Sequence, residues 1–138
     1  MKKYAVVAGV ALAALLAAGA AQAGAVVVAS GSKAGPMNAD AVKRVFLGRE
    51  ATVGGAPVQV IYQKGGATRA AFDKGVLGKA GAELTTYWSR LIFTGKAKAP
   101  AEVDGDAAVK AKLAASPGAI GYVSDAGVDG SVKVLYKF

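Results

Sequence analysis

Cysteine and histidine are both missing from this chain of 138 residues. Without cysteine there is no disulfide framework, no thiolate nucleophile and no lipid-bearing cysteine at a processed N-terminus. Without histidine there is no imidazole base, and the two absences together remove the ordinary zinc ligands. Acidic residues are scarce as well, nine against seventeen Lys and Arg, for a net charge of +8. The one acidic cluster, Glu102, Asp104 and Asp106 in AEVDGDAAV, lacks the ligand spacing of an EF-hand loop, so neither a metal nor another cofactor is expected. Asp106 reads as the cap of the following helix and Asp104-Gly105 as the turn before it. No Gly-x-Gly-x-x-Gly and no Gly-Lys-Ser/Thr occurs, which removes the nucleotide loops. The basic excess is spread as single residues, pointing to a general attraction for anions and away from a nucleic-acid groove. An enzyme is a distant reading, because no nucleophile or base is positioned by any motif.

One long uncharged run is present, Tyr4 to Ala21, preceded by Lys2-Lys3 and closed by Ala21-Gln22-Ala23. A basic start, an apolar stretch and a small-x-small site form a secretory signal, and cleavage after Ala23 is expected. A membrane anchor is the competing reading, since the run nears the lower limit for spanning about 30 Å of hydrocarbon, but Ala and Gly dominate it. Residues 1–23 are thus read as signal peptide and residues 24–138 as one compact domain of 115 residues. Removing Lys2 and Lys3 takes the basic residues to fifteen against nine acidic, a net +6.

Downstream, strands alternate with helices. AVVVAS, residues 25–30, is a short buried strand leaving into Ser30-Gly31-Ser32-Lys33. Met37 to Gly48 follows as a helix, with Asn38 as cap, Met37 stapled onto Val42, a face of Val42, Val45 and Phe46, and Gly48 as stop. A Gly54-Gly55 turn leads to the strand PVQVIY, 57–62; Gly65-Gly66-Ala67-Thr68 then opens a helix RAAFDKGVLG with Thr68 as cap. In AELTTYWSRLIFTG, Leu84, Tyr87, Trp88, Leu91 and Ile92 fall on one helical stripe, read as core. Residues 96–103 read as a polar connector, and DAAVKAKLAAS as a helix with Val109 and Leu113 inward, ended by Pro117-Gly118. AIGYV is a strand; a turn at Val128-Asp129-Gly130 delivers SVKVLYKF, where Val132, Val134 and Tyr136 alternate with Lys133, Leu135 and Lys137. This order predicts an α/β sandwich, a sheet covered by helices.

VFLGR, the Gly-Gly-x-Thr-Arg-x-x-Phe run, YWSRLIFTG and SPGAIGYV occur in an order that resembles the periplasmic substrate-binding proteins of phosphate ABC importers, from about Val26 to Leu135. The resemblance implies a periplasmic-binding-protein-like lobe, a mixed sheet flanked by helices, in a periplasmic protein that serves an ABC permease of the inner membrane. Full-size members have two lobes around a cleft, so this chain is expected to be mostly one lobe, and a homodimer of two such lobes would complete a cleft. Their Ser-Gly-Thr turn that grips phosphate corresponds here to Gly66-Ala67-Thr68, with Thr68 kept and the serine hydroxyl lost. Their arginine a few residues earlier is replaced by the stretch Tyr62-Gln63-Lys64, where Lys64 supplies a point charge in place of a planar fork. Arg69 is a partial substitute. Their acidic residue for protonated phosphate is not assigned to any position of this sequence.

The turn also speaks for itself, because free N–H groups and the positive end of the dipole at a helix start favour an oxyanion that glycines let approach. Gly65, Gly66, Ala67, Thr68 and Arg69 are therefore the candidate ligand contacts, for inorganic phosphate or a similar oxyanion. The plainer reading, a turn after a strand with an ordinary Thr cap, stands beside it. Ser30 and Ser32 are a second candidate contact, since ligands of open α/β sheets gather beyond the carboxyl ends of strands. Two functions follow: an exported oxyanion-binding protein working without chemistry, or an envelope interaction module that kept the fold and lost its ligand.

Overall fold

The computed structural model describes residues 23–138, so the expected signal sequence lies outside the described residues except for Ala23. Strand β1 is Gly24–Ala29, GAVVVA, which alternates between the two faces of the sheet with every side chain up to Val28 buried. Helix α1, Ala39–Phe46, starts where the Asn38 carbonyl oxygen of the side chain accepts the Ala41 N–H at 2.8 Å. Its buried face is Val42, Val45 and Phe46, and Gly48 follows at φ +72°. Met37 packs against the cluster that holds Val42, in keeping with the staple.

A small hairpin comes next, β2 (Thr52–Val53) on β3 (Ala56–Pro57), turned by Gly54 and Gly55 at φ +61° and +82°. Two consecutive left-handed residues are what a tight hairpin turn requires. Strand β4 is Gln59–Gln63. Helix α2 is Ala67–Phe72 and runs without a break into a wider-wound stretch, Asp73–Leu77, that stops at Gly78. Helix α3 spans Gly81–Phe93, β5 Ala101–Val103, α4 Gly105–Ala115, β6 Ala119–Ser124 and β7 Val132–Lys137.

The main sheet has the order β5-β4-β6-β1-β7. β4 is parallel to β5 and β6, whereas β1 is antiparallel to both β6 and β7. The sheet is thus mixed and flanked by helices. On one face α1, α2 and α3 enclose Val26, Phe46, Tyr62, Phe72, Trp88 and Tyr122; on the other, α4 covers Val27, Ile61 and Val123. Gly121 explains how α4 comes so close: a Cβ there would stand 2.9 Å from Val109 Cγ1. The Ala-Ile-Gly-Tyr run therefore alternates a face for α4 with a face for the aromatic cluster, where the Phe72 and Tyr122 rings stack 4.0 Å apart.

Four expectations are corrected. The polar connector contains β5, whose backbone pairs with Ile61 to Gln63 and closes that edge of the sheet. Ile92 is 44% exposed, since the stripe runs off the sheet at the end of α3, while Leu84 and Trp88 are buried. The alternation in β7 breaks at a bulge: Val26 pairs with Tyr136 and Val27 with Val134, so Leu135 is the extra residue. Leu135 is buried and Tyr136 packs on the same side. Finally, the residue at the cap position of α4 is Asp104, which makes no side-chain capping bond, and Asp106 lies inside the first turn.

Candidate functional site

The parallel strands β4, β5 and β6 end together, and at this end the chain gathers its polar side chains. Gln63, the last residue of β4, is buried, and its amide donates to Asp106 Oδ1 at 2.9 Å and to the Tyr122 carbonyl at 3.0 Å. Asp106 also accepts the Ser124 N–H at 3.0 Å and the Ser124 hydroxyl. Burial pushes the Asp106 carboxyl up, but these donors from Ser124 and Gln63 outweigh it and hold the group below its ordinary value. In place of a helix cap, Asp106 is a latch that ties the start of α4 to the ends of β4 and β6.

The expected turn follows Gln63. Gly66 is the residue at the cap position of α2, at φ +93°, a conformation that favours glycine, and it has no side chain with which to cap. Thr68 is consequently the second residue inside the helix and not its cap. The first intrahelical bond is from the Ala70 N–H to the Gly66 carbonyl, so the N–H groups of Ala67, Thr68 and Arg69 are the orphan donors of this helix start. Space around Gly65 and Gly66 is open. Lys64 stands beside them, exposed, with Asp104 at 3.9 Å.

Arg69 is placed differently from a free anion receptor. Its Nε donates to Asp73 Oδ2 at 2.8 Å, and its Nη1 to the Gln63 carbonyl at 2.6 Å and to Glu102 Oε2 at 3.0 Å. The guanidinium lies 4.9 Å over the Tyr62 ring. Burial works against its charge, yet the bonds to Asp73 and Glu102 prevail and raise its pKa. Asp73 is buried, with Oδ1 lacking a partner among the described residues, and burial pushes its carboxyl up against the pull of Arg69. The spacing i, i+4 made the Asp73 contact readable from sequence; Glu102, thirty-three positions away, left no such signal.

Ser30 and Ser32 are not brought to this site. Because β1 runs antiparallel to β6 and β6 parallel to β4, the loop after β1 lies at the opposite end of the sheet from the Gly65 turn. There the Ser32 hydroxyl accepts the Ala34 N–H at 3.2 Å and its carbonyl accepts from Lys133 Nζ at 3.1 Å.

No protein-family model matches the chain, and no curated protein does. Solved structures do. A Clostridium perfringens protein with bound phosphate, assigned as a phosphate ABC transporter substrate-binding protein, superposes with a TM-score of 0.63 at 19% identity over 83% of this chain and 44% of its own. The chain shares its fold with part of a phosphate-binding protein. PstS from Borrelia burgdorferi gives a TM-score of 0.62 at 12% identity over 83% of this chain and 46% of its own. An ABC-type phosphate transport receptor from Vibrio cholerae gives 0.53 at 15% identity, again over 83% of this chain, and 45% of that one. The chain spans less than half the length of these phosphate-transport proteins. The expected architecture, a short substrate-binding-protein-like α/β lobe, is therefore the one observed.

Proposed function

We propose that this protein is an exported solute-binding protein that reversibly takes up phosphate or a similar oxyanion for an ABC importer, without chemistry. The observation that carries the reading is the turn at the end of β4: two glycines in open space precede a helix start whose first three N–H groups have no intrahelical partner. Such donors with Lys64 alongside suit a compact anion. The fold shared with phosphate-binding proteins supports it. Gly65, Gly66, Ala67, Thr68 and Arg69 form the proposed contacts, and β1 beginning at Gly24 fits cleavage after Ala23. Intact-mass measurement of protein recovered from the periplasm should give a chain starting at Gly24; a chain retaining Met1 in the membrane fraction would overturn export.

Binding is tested by thermal melts in phosphate, sulfate and chloride at matched ionic strength. Phosphate at one hundred times its dissociation constant should stabilise by about 2.7 kcal/mol. Thr68→Val and Lys64→Gln are the probes, because the Thr68 hydroxyl makes no hydrogen bond among the described residues and Lys64 has only an exposed partner. Both should leave the unliganded melting point nearly unchanged and shrink the phosphate shift. Equal shifts for all three anions, identical in parent and variants, would sink the reading. The second reading, an interaction module without a ligand, would then stand; it is favoured by the engagement of Arg69 with Asp73 and Glu102.

A further inference from the structure

An anion approaching Arg69 meets a group already occupied by carboxylates, and the occupants are unequal. Asp73 and the Gln63 carbonyl hold the guanidinium from inside the protein. Glu102 holds it from outside: its side chain is 51% exposed and stands on β5, the edge strand of the sheet. An ion pair this exposed is weak, and a rotation of Glu102 into solvent breaks it without disturbing the core. A carboxylate and an oxyanion offer a guanidinium the same kind of acceptor, and Glu102 supplies one oxygen, Oε2, to Nη1.

Arg69 and Glu102 together line a cavity of about 210 Å³ beside α3. Tyr62 and Trp88 contribute ring surface to it, and Thr85 and Ser89 bring hydroxyls. The Thr85 hydroxyl is spent on the Gly81 carbonyl at 3.2 Å, while that of Ser89 has no partner among the described residues. The cavity is smaller than the ~300 Å³ at which drug-sized pockets begin, so it suits a small ion.

We propose that Glu102 is a built-in competitor for the ligand: in the free protein its carboxylate occupies the guanidinium face that the oxyanion takes in the complex. The displaced Glu102 moves into water, and the oxyanion sits at the Arg69 end of this cavity with the Ser89 hydroxyl as an added donor. The inference rests on the oxyanion-binding reading, of whose proposed contacts Arg69 alone lines this cavity, and names the residue that sets affinity at that contact. With Glu102 on Arg69 as a single carboxylate too many, an anion is repelled until that residue leaves. Where the competent, open form is one tenth of the population, the apparent affinity is tenfold below the intrinsic one.

Calorimetric titration of the whole protein with inorganic phosphate at low ionic strength tests this. Glu102→Gln should bind phosphate about tenfold more tightly than the parent, and Ser89→Ala in that background should return several-fold of the gain. Glu83→Gln, the same charge change at an exposed position of α3, should gain nothing. A parent that binds phosphate and a Glu102→Gln variant that binds no better would overturn the competitor and leave the oxyanion reading intact. A gain in Glu83→Gln equal to that in Glu102→Gln would overturn it as well, since any lost negative charge would suffice. Absence of binding in parent and Glu102→Gln alike would overturn both the competitor and the reading beneath it. All three variants change exposed side chains, so loss of folding does not confuse the result.

Discussion

Arg69 shows how far a single residue can be read from its neighbours in sequence. Its position after Gly-Gly-Ala-Thr suggests a free cation aimed at a ligand, and Arg69→Gln would then be harmless without one. The structure reverses that expectation, because among the described residues the guanidinium is the only partner of a buried carboxylate, Asp73. Arg69→Gln should cost about 3 kcal/mol at neutral pH, the low end for breaking a buried pair. Asp73 has its folded pKa raised, so the native state takes up its proton more readily than the unfolded chain, and the cost should fade as pH falls through that folded value. Arg69→Gln with Asp73→Asn should be more stable than Arg69→Gln alone in urea melts; equal stabilities would show that Asp73 carries no uncompensated charge. Asp106 has the opposite sign. Its folded pKa is lowered, so its contribution is fully present above the ordinary 3.8 and is lost as pH falls through the folded value. Asp106→Asn should therefore lose about 1.5 to 3 kcal/mol at pH 7, the worth of hydrogen bonds to a charged group, and the gap from the parent should close in acid. A pH-independent gap would refute the latch. Neither partner set is local: Ser124 and Gln63 lie 18 and 43 positions from Asp106, which is why the sequence offered only a helix cap.

At the scale of elements, apolar periodicity located α1, α3, α4, β1 and β6, because each buries a face whose spacing the chain itself displays. β5 escaped because Ala-Glu-Val is too short to show a period, and its place follows from pairing with β4, far away in the sequence. The β7 bulge escaped because register depends on β1, not on β7. Trp88, by contrast, sits where its stripe puts it, 9% exposed, with Nε1 donating to the Tyr62 hydroxyl at 3.4 Å. Trp88→Ala should cost about 3 to 5 kcal/mol in denaturant melts, and a cost near zero would mean that α3 does not rest on this residue. The fit of α4 on the sheet gives a paired test. Gly121→Ala should lose about 1 to 3 kcal/mol through overpacking against Val109. In a Val109→Ala background the same change should cost much less, since the opposing methyl is gone; an unchanged cost would place the strain elsewhere.

For the molecule as a whole, alternation of strands and helices led to an α/β sandwich, and that is the architecture, but alternation carries no direction for a strand. β1 reversed against β6 is what separates Ser30 and Ser32 from the Gly65 turn, and only pairing across the sheet reveals it. That reversed strand also governs the order in which the molecule can assemble. Gly24 pairs with Ser124, one hundred positions on, and Ala25 with Lys137, so neither hydrogen-bonding edge of β1 has a partner until nearly the whole domain has been laid down. The β4, α4 and β6 neighbourhood closes shorter loops and so should form the folding nucleus, with β1 added afterwards along β6 and β7 along β1. Stopped-flow folding would then show Val27→Ala accelerating unfolding while leaving the folding rate nearly untouched, and Ile61→Val slowing folding instead. The first of the described strands would thus be among the last to enter the sheet, and β7, which pairs with it at the edge, could join no sooner.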